Sequence, residues 1–298
     1  LEVVRMPQAT QLIDGLHFGE GPRWHDGRLW FSDFYDHAVK AVGLDGSVEV
    51  MADVPHQPSG LGWLPDGRLL VVSMVDRTVL RQEPDGTLAV HADLSDLAPF
   101  HCNDMVVDAQ GRAYVGNFGF DLDAFLAEHG VEGALAEPGP PRTVLLRVDP
   151  DGSVHVVADG LKFPNGTVIT PDGATLIVAE TLGLCLTAFT IADDGSLHDR
   201  RLWADLGFHA PDGICLDADG NVWVANPLSP EAVLYAPGGA AIEKVETSQP
   251  CFACMLGGDD GRTLFCLTAV SSNHELAAAE RTGKVEIATV SVPHDGLP

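Results

Sequence analysis

Basic residues are scarce in this sequence. Its 298 residues carry 17 lysines and arginines against 43 aspartates and glutamates, a formal net charge of −26 at pH 7. Nucleic acid and anionic membranes both require a positive footprint, so neither is expected as a partner. Long apolar runs are missing too: none approaches the ~18–20 residues that a membrane span needs. No basic-then-apolar leader stands at Leu1. The expectation is a soluble, cytoplasmic protein, monomeric or weakly self-associating. Cysteines number six, too few to staple a chain of this length. Cys102, Cys185, Cys215 and Cys266 lie in or beside strand-like runs and read as small buried hydrophobes. Cys251 and Cys254 form a lone CxxC without a second pair or a histidine pair at finger spacing, so no structural zinc is expected. A GxSxG elbow and a phosphate-binding glycine loop are also absent, which sets aside serine-hydrolase and nucleotide chemistry.

What the chain does have is repetition. The stretch PDGICLDADGNVWVAN, Pro211 to Asn226, reads as a strand, a tight turn over Ala218–Asn221, and a second strand. Related phrases open at Glu20, Ser59, Asn103 and Asn165, with a sixth unit beginning near Cys251. Each unit holds four short strand-like runs separated by turn residues, the pattern of a propeller blade. The spacing of the openings is regular except between Asn103 and Asn165, where an insertion, Asp121 to Arg142, has a partly helical pattern. Elsewhere helical periodicity is nearly absent. These features predict an all-β fold, a six-bladed β-propeller with four-stranded blades, formed by residues 1–298 as a single domain. The N-terminal segment, Leu1–Arg5 and Thr10–Ile13, is predicted to close the ring as the outer strand of the last blade, beside GKVEIATVSV, leaving no free sheet edge there.

In such a ring the residues that begin each innermost strand gather around one mouth of the central channel. Here they are Glu20, Ser59, Asn103, Asn165, Asp212 and a position near Phe252. Two carboxylates and two amides offer oxygen donors to a hard divalent cation, calcium first, with magnesium, manganese or zinc as alternatives. Taken singly, Asp or Asn before Gly is an ordinary turn residue. Their recurrence at equivalent repeat positions is what favours a shared site.

The motifs EGP at Glu20, ND at Asn103–Asp104 before DAQGRAYVG, PNG at Pro164–Gly166 before TPDG, and PDG at Pro211–Gly213 before DADGNVWVA resemble the SMP-30/gluconolactonase/luciferin-regenerating family in order and spacing. The resemblance implies a six-bladed propeller that hydrolyses a lactone or related ester with a bound divalent metal. It implies metal ligands Glu20, Asn165 and Asp212, with Asp212 as catalytic base and Asn103 facing the substrate, where it aids the oxyanion. His101, Asn103, Asp104 and Asp121 are the expected substrate contacts. One departure stands out: sugar-lactone members carry an arginine two residues before the Asn–Asp pair, and this chain has His101. Together with Phe118, Phe120, Leu122, Phe125 and Leu126 in and before the insertion, that substitution points to a less hydroxylated substrate; the same apolar residues would equally pack the insertion onto the propeller. The other readings are an organophosphate-type ester hydrolase, an isomerase or cyclase on the same metal site, and a non-enzymatic propeller that keeps the cation for stability. Of the remaining histidines, His209 lies three residues before Asp212 and within reach of the mouth. The others, His25, His274 and His294 among them, read as surface residues.

Overall fold

A computed structural model describes residues 7–298. The chain forms six four-stranded antiparallel sheets. Their innermost strands are Gly19–His25, Pro58–Trp63, Cys102–Val107, Pro164–Ile169, Ile214–Leu216 and Cys251–Gly257. Each touches the next and the last touches the first, which closes a six-bladed ring, numbered here from the blade of Glu20. Strand Thr10–Leu16 pairs with Gly283–Thr289, so a strand from the chain's beginning completes blade six. The other segment expected there, Leu1–Arg5, lies outside the described residues.

In five of the six blades a side chain holds the turn between the two innermost strands. In blade five, Asp217 Oδ1 accepts from the backbone N–H of Asp219 and of Asn221, at 3.0 and 2.8 Å, while Gly220 takes φ +79°. Asp108 does the same in blade three, accepting from Gln110 and Arg112. Because blades stack on both neighbours, their second strands are covered on both faces and read as nearly unbroken apolar runs, as in Leu69–Ser73 and Val222–Asn226. Met105 and Val115 of blade three pack with Leu70 and Val72 of blade two, all fully buried. Burying such a side chain stabilises by roughly 1.5–3 kcal/mol. The outermost strands alternate and face water, as in Val48–Asp53.

Two helices sit at the mouth end. Helix α1, Leu122–Leu135, emerges from blade three within the predicted insertion, capped by Asp121, whose side chain accepts from Ala124 N–H. Helix α2, His274–Ala279, emerges from blade six and has no counterpart in the sequence reading. Blades three and six face one another across the ring, and the two helices meet: Asp123 Oδ2 accepts from the His274 backbone N–H at 3.2 Å.

The far end of the channel is crossed by the C-terminal segment. Leu297 exchanges backbone hydrogen bonds with Ile169 of blade four, Pro293 O accepts from Ala218 N–H of blade five, and His294 N–H reaches Gly261 O of blade six. Two histidines read as surface residues are part-buried at this end. His294 is part-buried and bonds Pro298 O, and His25 stacks on Trp63 at 3.8 Å between ring centroids. Among the described residues no helix is long and apolar enough to cross a membrane.

Candidate active site

The residue after the opening position of a blade lies against the neighbouring blade's backbone. A Cβ on Gly60 would stand 2.3 Å from Met105 N, one on Gly166 2.5 Å from Asp212 O, and one on Gly213 2.7 Å from Ala253 Cα. None of these three glycines has a positive φ. Ser59-Gly60, Asn165-Gly166 and Asp212-Gly213 are therefore inner-strand contacts rather than turns. Close approach excludes a side chain at the glycine, and the residue before it is delivered to the channel.

Four of the expected positions come together at the floor of one cavity of about 540 Å³: Glu20, Asn103, Asn165 and Asp212. A polar relay runs around this floor from blade two to blade five. Ser59 Oγ donates to Asn103 Oδ1 (3.3 Å), Asn103 Nδ2 to Asn165 Oδ1 (3.0 Å), Asn165 Nδ2 to Thr181 Oγ1 (3.2 Å), and Thr181 Oγ1 to Pro211 O (2.7 Å). Thr181 was not anticipated from sequence; it fixes the Asn165 amide on the side that faces Asp212. Ser59 supports the relay without lining the cavity, and the sixth position is supplied by Phe252.

The two carboxylates are electrostatically unfavourable as they stand. Burial is the main cause that pushes Glu20 well above the usual carboxylate range, followed by the nearby charges of Asp212 and Asp104; the Gly21 N–H at 3.1 Å pulls back. Asp212 is raised in the same way, by burial and then by Asp104, with a hydrogen bond from Asn165 opposing. Arg23, the cation acting on Glu20, is buried and already committed: Nη2 bonds Asp104 Oδ1 at 2.8 Å and also Met105 O, Nε bonds Leu61 O, and Nη1 bonds Pro22 O. Asp104, expected at the substrate, thus pairs with Arg23 and does not line the cavity. Two acids held above their usual range, Glu20 also by the charge of Asp212, with two amides beside them, form a donor set suited to a hard divalent cation. Among the described residues no three His, Cys, Asp or Glu side chains gather as a metal centre; this set is two carboxylates completed by amides.

Above the floor, His101 and Asp121 both line the cavity. His101 stacks on Phe100 at 4.1 Å, and burial holds its imidazole below the usual range, against a weaker upward pull from Asp121. His274, exposed as its surface reading had it, also lines the cavity and packs 5.4 Å from the ring of Tyr35. Tyr35 is pushed up to about 12, first by burial and then by Asp123. His209 is not among the lining residues; it turns to Tyr235 and Glu231 of blade five. Cys251 and Cys254 are buried beneath the floor, and Cys254 lies against the carbonyls of Gly213 and Trp223.

Comparison with known proteins finds several lactonases among the relatives of this chain. The family description "SMP-30/Gluconolactonase/LRE-like region" matches residues 18–270. A pentonolactonase of Haloferax volcanii is 26% identical over 87% of this chain and 84% of its own length. A gluconolactonase of Zymomonas mobilis is 24% identical over 89% of this chain and 79% of its own. Among solved structures, a calcium-binding protein, regucalcin, from Agrobacterium tumefaciens superposes with a TM-score of 0.78 at 20% identity, covering 100% of this chain and 99% of its own.

Proposed function

This chain belongs to the SMP-30/gluconolactonase/LRE-like family, and from that premise we propose that it hydrolyses a lactone or a closely related ester at the floor of the mouth cavity. The observation that carries the reading is the pairing of part-buried Glu20 and buried Asp212, carboxylates from different blades, with the amides of Asn103 and Asn165 in one cavity. The lactonase relatives support it. A divalent cation, calcium first, would be held by Glu20, Asn165 and Asp212 and would supply carbonyl polarisation and a more acidic water.

The residues of the chain do the rest. Asp212 takes the proton of the attacking water as general base. The water oxygen bonds the carbonyl carbon, the ring C–O bond breaks, and the departing alkoxide takes up a proton, giving a hydroxy acid that ionises to its carboxylate. Asn103, whose amide nitrogen already donates to Asn165, offers its second N–H to the oxygen that becomes negative. Asn165 stays neutral and limits the negative charge at the floor. His101 and Asp121 contact the part of the substrate that projects outward, whereas Asp104 acts through Arg23.

The test is turnover of lactones, aryl esters and phosphotriesters, with and without EDTA. Hydrolysis of a lactone, abolished by EDTA and restored by a divalent cation, is the expected result; full activity in metal-free protein would overturn the cation's part. Asp212→Asn keeps one oxygen and the shape but removes the base, and should lower the rate at least ~10²-fold. Since Gly213 is not in a turn, an unchanged rate could not be explained by Asn-Gly serving as the same turn, and would remove Asp212 from the reaction. Cation content measured in the same sample separates a lost base from a lost ligand.

A further inference from the structure

The upper cavity is chemically unlike its floor. On one side Phe18 packs against Phe34 and Phe252, with ring centroids 5.3 and 4.8 Å apart. On the other, Phe118 meets Phe163 edge-on at 4.6 Å, next to His101. Helix α1 forms the roof with Leu122, Leu126 and Leu135. The apolar lining continues outward: Val131 and Leu228 line the same cavity, yet are 51% and 55% exposed at its rim. A soluble surface rarely gathers such groups unless they meet something apolar.

The polar side chains up here, Gln57, Ser272 and the two histidines among them, are outnumbered by apolar ones, and several are occupied. Asp121 caps α1 and Asp123 accepts from the His274 backbone. Among the described residues no lysine or arginine lines the cavity. A polyhydroxylated ring would lose its water against phenyl faces, with few partners to replace it. Along the upper cavity a substituent bearing a carboxylate or phosphate would meet Asp121 and Asp123 with no lysine or arginine to receive it.

Resting on the hydrolase reading above, we infer that the preferred substrate is an uncharged lactone with a long apolar substituent. The lactone ring sits on the carboxylate–amide floor, and the chain runs outward between the aromatic walls under α1 to the Val131–Leu228 rim. This assigns substrate selection to Phe118, Phe163 and the α1 leucines, none of which touches the reacting atoms.

The experiment is kcat/KM across γ-lactones from the unsubstituted ring to one with an eight-carbon alkyl chain, beside gluconolactone. Full burial of a methylene is worth ~0.8 kcal/mol, so kcat/KM should rise about two- to fourfold per carbon. It should exceed that for gluconolactone at the long end. Leu126→Ser and His101→Arg, which put a hydroxyl in the roof and a charge in the wall, should each flatten the rise. In parallel, calorimetry with 5-alkyl-2-pyrrolidinones, whose amide resists hydrolysis, reads the chain effect without turnover. Lactones hydrolysed with a flat or falling series, or with gluconolactone preferred, overturn this inference and leave the hydrolase standing. Pyrrolidinone affinity that climbs with chain length while no lactone is turned over overturns the hydrolase and leaves the apolar sleeve. Affinity independent of chain length overturns the inference on its own.

Discussion

At the scale of single residues, the glycines after the blade openings explain why the site is assembled as it is. Gly60 is extended and carries no left-handed penalty, so Gly60→Ala isolates the steric contact with Met105 N and the Asp104 carbonyl carbon. Blade two and blade three must separate to accept the methyl group, and the expected cost is about 1–3 kcal/mol or more. Gly67→Ala is the control: φ there is +85° and a Cβ meets open space, so the loss should be limited to ~1–2 kcal/mol of backbone strain. Chemical denaturation of both variants checks the ordering, and a Gly60→Ala protein as stable as the parent would contradict the packing argument. Glu20, Asn103, Asn165 and Asp212 were legible in the sequence because repetition marked equivalent positions. The reason for the glycines was not, because Asn-Gly and Asp-Gly look the same whether they turn a hairpin or press on a neighbouring strand. Arg23 was equally hidden: nothing in EGPR shows that its guanidinium reaches across to Asp104, one blade beyond its neighbour.

At the scale of elements, the blades could be read from their turn residues, and the N-terminal closing strand from the unpartnered run beside GKVEIATVSV. Helix α2 could not be read. Its six residues, HELAAA, are too few to show a 3.6-residue period. Its one local signal is Asn273, whose side chain accepts from Leu276 N–H. Helix α1 was foreseen only in part, since Gly130, at φ 67° and ψ 178°, breaks the helix internally. The closing strand carries its own prediction. Removing residues through Leu16 strips the partner from Gly283–Thr289 and uncovers the cluster beneath Leu16. The bare edge should drive strand-to-strand association. Light scattering should show growth with protein concentration, and the thermal midpoint should fall. A truncated chain that stays monodisperse at the parent's midpoint would mean that the strand is ornamental to the ring.

At the scale of the whole molecule, the acidic balance and the carboxylate pair of the floor act together. Glu20 and Asp212 are raised by folding, so the folded chain without cation holds protons that the unfolded chain releases. Stability from this pair is present below the unfolded carboxylate range, near pH 4, and is lost as pH rises above it towards the folded values. A divalent cation favours the ionised form and opposes that loss. The thermal midpoint difference with and without calcium should therefore be small near pH 5 and larger near pH 8, where each kcal/mol moves the midpoint by ~2 °C. In Asp212→Asn the cation-free midpoint at pH 8 should rise and the calcium increment should shrink. An increment that does not change with pH would place the calcium effect elsewhere on the acidic surface.

The cavity that holds the proposed floor opens at the helix-bearing end, away from the C-terminal segment laid across blades four to six. In the proposed reaction the lactone and the hydroxy acid formed from it occupy the same floor, so acid left from one molecule blocks the next. Acid and lactone then compete for one vacancy. Added product should raise KM and leave kcat unchanged, whereas inhibition that lowers kcat alone would require the acid and the lactone to be held at the same time. Asp121 and Asp123 line the upper cavity and, among the described residues, no lysine or arginine does, which favours a short stay for the departing acid. The proposed selectivity for uncharged substrates and the rapid clearing of charged products are then two results of the same wall.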